Sequence, residues 1–196
     1  SASAILCVSN HTRNDLLEQY DVPPEKTRVI HHGSNMQPSE GADTDLPDGP
    51  KYFLHVGSRS GYKNFSSLLP VLQDVRRIHP DIQLRLAGPS LNSAEKETIR
   101  KYGLENAVVE EERVEDGRLA SLYAHSVALL HPSLHEGFGI PLLEAMDCGT
   151  VPIATASTSV PEVLGDAGIH IHPDNVETGF REAMLDLLSD SGQRDA

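Results

Sequence analysis

The chain has 196 residues, 38% hydrophobic and 23% charged, enough for one well-buried core or for one domain with a piece of another. Its formal net charge is -13, from 29 acidic and 16 basic side chains, which argues against nucleic acid or an anionic membrane surface as a partner of the whole chain. No apolar run approaches the ~18 residues of a membrane span, nothing at the start reads as a signal peptide, and Cys7 and Cys148, each beside apolar neighbours, read as reduced buried thiols.

In chain order, short β-branched runs alternate with amphipathic helical stretches. A strand over 4–8, a helix over 12–20 and a strand over 27–31 come first. Residues 36–50, rich in Pro, Gly, Asp and Ser and without apolar period, read as a linker over 37–50 that separates residues 1–36 from 51–196. A new series then starts with a strand over 52–56 and a helix over 64–79. Phe65, Leu68, Leu72, Val75 and Ile78 share one face of that helix, and Pro70 is expected to kink it. Strands over 83–87, 107–109, 127–130, 151–154 and 168–171 follow. Helices over 93–102, 116–124, 141–147, 159–164 and 177–188 alternate with them. This is the pattern of an α/β, doubly wound, Rossmann-like parallel sheet. The segment before the linker is too short to stand alone and reads as the last β-α-β of a truncated preceding domain.

If the six later strands take the order 3-2-1-4-5-6, the loops after residues 56 and 130 flank the point where the order reverses, and ligands bind there. The first loop, Gly57-Ser-Arg59-Ser-Gly61-Tyr-Lys63-Asn64, sets two glycines and two cations at an expected helix start. Free N–H groups with Arg59 and Lys63 suit an anion. It is neither a Walker loop nor G-x-G-x-x-G, and a tight turn with two solvated cations accounts for it equally well on loop chemistry alone. The second loop, His131-Pro-Ser-Leu-His135-Glu136-Gly137-Phe138-Gly139-Ile140-Pro141, brackets Phe138 with glycines and leads into a helix carrying Glu144 in its first turn. Glu144 also fits a carboxylate complementing the helix dipole, and Glu136 fits a loop carboxylate bonded to nearby amides. His31-His32 and His170-Ile-His172 are the closest histidine groupings, and no third ligand completes a metal site.

These residues resemble the family 4 glycosyltransferases, retaining enzymes of the GT-B fold. The E-x7-E signature stands as Glu136 and Glu144, flanked by His131-Pro-Ser, Gly149-Thr-Val-Pro-Ile-Ala and Pro161-Glu-Val. Residues 5–9 and 29–33 resemble the end of that family's N-terminal domain. The resemblance implies that residues 51–196 bind the donor and that Arg59 and Lys63 clamp its diphosphate, with Gly57 against the phosphates. It implies that Glu136 bonds hydroxyls of the transferred sugar and Glu144 those of the ribose. By the same resemblance Phe138, Gly139 and Ile140 offer backbone amides to sugar and phosphate, and the backbone at Arg113 meets the base. Where the family has a small residue before that position, this chain has Glu112, and Asn64 follows Lys63 in place of glycine; the base is left unassigned.

The implied activity is retaining, metal-independent transfer of a hexose from a nucleotide-diphosphate sugar to a sugar or lipid-linked acceptor. No cofactor and no nucleic acid take part. The implied setting is polysaccharide or glycolipid assembly in the cytoplasm, at the inner membrane face, with any membrane contact made through the preceding domain. A non-catalytic sugar-nucleotide binding module and a GT-B epimerase or phosphorylase-like enzyme are the alternatives.

Overall fold

A computed structural model of the chain describes residues 2–36 and 49–189. The expected linker therefore lies, over 37–48, outside the described residues.

The first unit is a parallel pair, β1 (Ile5–Cys7) and β2 (Thr27–Val29), joined through α1 (Asn10–Gln19). The helix begins two residues earlier than its apolar period suggests. Ser9 is the reason: its hydroxyl accepts the Thr12 N–H at 3.0 Å and caps the helix at its start.

The second unit carries β3 (Tyr52–Val56), β4 (Gln83–Ala87), β5 (Val108–Glu111), β6 (Leu129–His131), β7 (Pro152–Thr155) and β8 (Ile169–Ile171). All pair in parallel in the order β5-β4-β3-β6-β7-β8, so the order reverses between β3 and β6 as expected. Alternation along the strands sends side chains to two cores. Phe53, Leu84, Leu86, Leu130 and Ile153 join the core shared with α2 (Leu68–Arg76), α3 (Ser93–Lys101) and α7 (Val176–Ser189). Tyr52, Leu54, Leu129 and Ala154 join the opposite core, under α4 (Asp116–His125), α5 (Ile140–Asp147) and α6 (Val160–Leu164). Burying each large apolar side chain contributes about 1.5–3 kcal/mol, and helices on both faces keep a wholly parallel sheet out of water.

The helix expected over 64–79 is shorter and differently built. Asn64 takes a left-handed φ of 52°, which separates two 3-10 turns, Gly61–Lys63 and Phe65–Ser67, and delays α2 to Leu68. Pro70 then falls in the first turn, where its missing N–H has no helical acceptor to lose, so it does not act as the interior kink foreseen. Ile78 lies past the helix end and is 62% exposed instead of core. Strand β5 starts and ends later than its β-branched residues suggest and includes two glutamates. Glu111 pairs with Arg85 at 2.8 Å, while Glu110 accepts the Leu91 N–H at 2.7 Å.

Candidate functional site

The loops after β3 and β6 meet at the reversal of strand order. Gly57 leaves β3 at φ 105°, a backbone that favours glycine, and its N–H donates to Ala87 O at the end of β4 at 2.8 Å. A Cβ on Gly88 would lie 2.5 Å from Gly57 O, so β3 and β4 end in backbone contact that only glycine allows. Sequence reading passed over Gly88, whose signal is only a glycine at a strand end.

The two loops are joined twice. The Leu134 N–H donates to Tyr62 O at 2.8 Å, and Lys63 Nζ donates to Glu136 Oε1 at 2.7 Å. His131 Nε2 stands 3.0 Å from the same oxygen. Burial pushes the Glu136 carboxyl up, but the contacts from His131 and Lys63 outweigh it and hold it at about 2. Glu136 is therefore an anion at neutral pH. Its backbone is braced from the loop after β7: its N–H donates to Thr158 Oγ1 at 2.8 Å, and Ser159 Oγ donates to Glu136 O at 2.9 Å and Phe138 O at 3.1 Å. Thr158 itself is held at φ 49°, strain consistent with a functional loop.

Arg59 is placed differently from Lys63. Its side chain is 3% exposed; Nε donates to Glu95 Oε1 at 3.0 Å, and another guanidinium N–H donates to Pro89 O. Glu95 is also the third residue of α3, where its other oxygen closes a capping box with Asn92. The two cations thus share a loop but have separate carboxylate partners. The helix start expected directly at Lys63 is replaced by the 3-10 turns, because Asn64 breaks the helical path.

Gly139, at φ 105°, precedes α5, and no side chain caps that helix. Pro141 has no N–H and the Leu142 N–H donates to Gly139 O at 3.0 Å, so of the first three helical positions Ile140 has the N–H left for a ligand. Phe138 is buried, and Ile140 is exposed. Glu144 lies in the second turn of α5 and not the first, because the helix already begins at Ile140. It pairs with neither cation: Tyr123 donates its hydroxyl to Glu144 Oε2 at 2.8 Å. Arg113, at φ 49°, lines a cavity of ≈ 280 Å³ beyond the ends of β4 and β5, with Gly88, Pro89, Glu110 and Glu112 also on its wall.

The first unit also reaches this site, which its sequence did not announce. Ser9 and Thr12 hydroxyls donate to Gly137 O at 2.8 and 3.1 Å. Glu162 on α6 accepts the Asn10 N–H at 2.9 Å and contacts His31 Nε2 at 2.6 Å. The His31 and His32 rings pack on Phe138 at 5.8 and 5.2 Å, so that pair serves packing. No group of three or more His, Cys, Asp or Glu able to hold a metal occurs among the described residues, and no helix among them is long and apolar enough to cross a membrane.

Comparison with known proteins gives the family and the fold. The family described as "Glycosyl transferases group 1" matches residues 37–196. The O-antigen chain mannosyltransferase B of Escherichia coli is 29% identical over 97% of this chain and 53% of its own length. The chain thus spans about half the length of that relative. A glycosyltransferase from Rickettsia africae has the same fold at a TM-score of 0.83, with 22% identity over 97% of this chain and 54% of that one. A variant of S. aureus TarM, solved with fondaparinux, alpha-GlcNAc-glycerol and UDP, matches at 0.79, with 17% identity over 96% of this chain and 37% of that one. With six parallel strands in this order and a family match over most of its length, the chain belongs to the group 1 glycosyl transferases.

Proposed function

We propose that this chain supplies the donor-binding half of a retaining, metal-independent glycosyltransferase, with residues 51–196 as the donor domain and residues 1–36 closing a preceding acceptor domain. The observation that carries this reading is the Lys63–Glu136 pair at 2.7 Å, set where the ends of β3 and β6 adjoin. It puts a cation and an ionised carboxylate at one point of the strand reversal, beside the uncapped start of α5.

Transfer breaks the bond between the anomeric carbon and the phosphate oxygen, and the electron pair leaves on the diphosphate. Lys63, the remaining N–H groups of Arg59 and the Ile140 N–H at the start of α5 stabilise that charge without needing a metal. The acceptor hydroxyl attacks the anomeric carbon from the face the phosphate leaves, and its proton passes to the departing phosphate oxygen. Glu136 grips sugar hydroxyls, Glu144 holds the ribose, and the backbones at Gly57, Phe138, Gly139 and Ile140 border the phosphates and sugar. The ≈ 280 Å³ cavity at Arg113 receives the base. A mannosyltransferase among the relatives favours mannose as the hexose, and a UDP complex of a like fold supports a nucleoside diphosphate donor. The acceptor is a sugar or a lipid-linked sugar, and the reaction runs at the cytoplasmic membrane face, contacted through the acceptor domain.

Titration with UDP, GDP and ADP and then with their mannose and glucose conjugates tests this reading. One nucleoside diphosphate should bind clearly tighter than the others, with affinity unchanged by EDTA. Absence of binding by all three would refute it, and binding without transfer by the full-length protein would favour a binding module.

A further inference from the structure

Tyr123 is wholly buried on α4, in the core formed with Tyr52, Leu122, Leu142, Ala145 and Leu164. Its carbonyl oxygen accepts from Thr150 Oγ1 at 2.6 Å and from Ser126 Oγ at 2.8 Å, so backbone and ring are both fixed. Its hydroxyl emerges from this rigid setting to donate to Glu144 Oε2 at 2.8 Å. Among the described residues Oε1 of Glu144 has no hydrogen-bond partner, and the side chain is half-buried. Burial first, and then the Glu144 charge, push the Tyr123 hydroxyl well above its ordinary range, so it stays a proton donor.

A carboxylate has about four acceptor positions and two oxygens. A vicinal diol such as that of ribose offers two donors to such a group. Held through one oxygen by a group that cannot move, a carboxylate keeps its plane and torsion before ligand arrives, and less rotamer freedom is lost on binding. The bland reading runs the other way: Glu144 is there only to satisfy a buried phenol that would otherwise be left unpaired.

We propose that Tyr123 is a positioning residue for the nucleotide, fixing the Glu144 carboxylate through Oε2 and leaving Oε1 to take hydrogen bonds from the ribose. This rests on the ribose role given to Glu144 above. Tyr123→Phe removes one oxygen and leaves the core filled. The test is calorimetric titration of the protein and of Tyr123→Phe with the tightest binder among UDP, GDP and ADP, and with its 2′-deoxy and 3′-deoxy forms.

The unsubstituted protein should bind at least one deoxy form about tenfold or more weaker, the loss of a hydrogen bond to a charged group. In Tyr123→Phe that ratio should shrink to about threefold or less, as the parent nucleotide itself binds more weakly. Thr150→Val, which removes a hydrogen bond to the Tyr123 carbonyl without touching the hydroxyl, should lower stability and leave the ratio intact. An unchanged ratio in Tyr123→Phe overturns the inference while the ribose role of Glu144 stands. No discrimination by the unsubstituted protein overturns that role and the inference with it.

Discussion

Replacing Lys63 with alanine removes the cation at the junction of the loops after β3 and β6, 2.7 Å from Glu136 Oε1. Two effects follow, and their sizes differ. In the resting protein the substitution leaves Glu136 with one partner fewer. Breaking a fully buried pair costs about 3–5 kcal/mol, but these side chains are 21% and 10% exposed and His131 remains at 3.0 Å, so a loss of about 1 kcal/mol is expected. In the transition state, a fixed cation facing developing phosphate charge is worth roughly 2.7–4 kcal/mol, or ~10²–10³ in rate. Activity should therefore fall far more than stability. The assay is nucleoside diphosphate release by the full-length protein, with calorimetric titration of nucleoside, nucleoside monophosphate and nucleoside diphosphate alongside. Lys63→Ala should weaken the diphosphate most and the nucleoside hardly at all. Equal weakening of all three would point to a damaged fold, and unchanged diphosphate affinity would refute the role of Lys63.

Other outcomes follow from the same geometry. Glu136 is held at about 2, below its ordinary 4.5, so the stability it contributes is complete above about pH 4.5 and is lost as pH falls toward 2. At ~1.36 kcal/mol per pKa unit this acid limb is on the order of 3 kcal/mol, and denaturant titrations from pH 6 to 2 should find it missing in Glu136→Gln. Buried His55 is pushed down to about 4 from 6.5 by loss of hydration, so the unfolded chain takes the proton first and stability falls between about pH 6.5 and 4. His55→Gln should flatten that separate limb in the same titrations. Gly88→Ala drives a Cβ to 2.5 Å from Gly57 O; it should cost about 1–3 kcal/mol in thermal denaturation and weaken nucleotide binding by displacing the loop after β3.

Much of this fold could be read from residue order, because parallel strands buried on both faces leave plain β-branched runs between amphipathic helices. The strand order placed the reversal between β3 and β6, and the loops there hold Lys63 and Glu136 in contact. What escaped was settled by backbone conformation or by distant partners. Asn64 in a left-handed conformation moved the start of α2, and Pro70 became a first-turn residue through that shift. Arg59 found Glu95, 36 residues away, which serves at once as a capping residue of α3. The bracing of Gly137 by Ser9 and Thr12 spans more than a hundred residues and looks, in sequence, only like a helix cap. Tyr123 gave no polar signal at all, since a tyrosine on an apolar helix face reads as core, which it also is.

The most direct measurement is a crystal structure of the protein with the tightest-binding nucleoside diphosphate. The account predicts both phosphorus atoms between the loops after β3 and β6, within about 4 Å of Lys63 Nζ and the Ile140 N–H, with the base in the cavity at Arg113. A diphosphate bound elsewhere on the sheet, with the Lys63–Glu136 pair undisturbed and the loops empty, would contradict it.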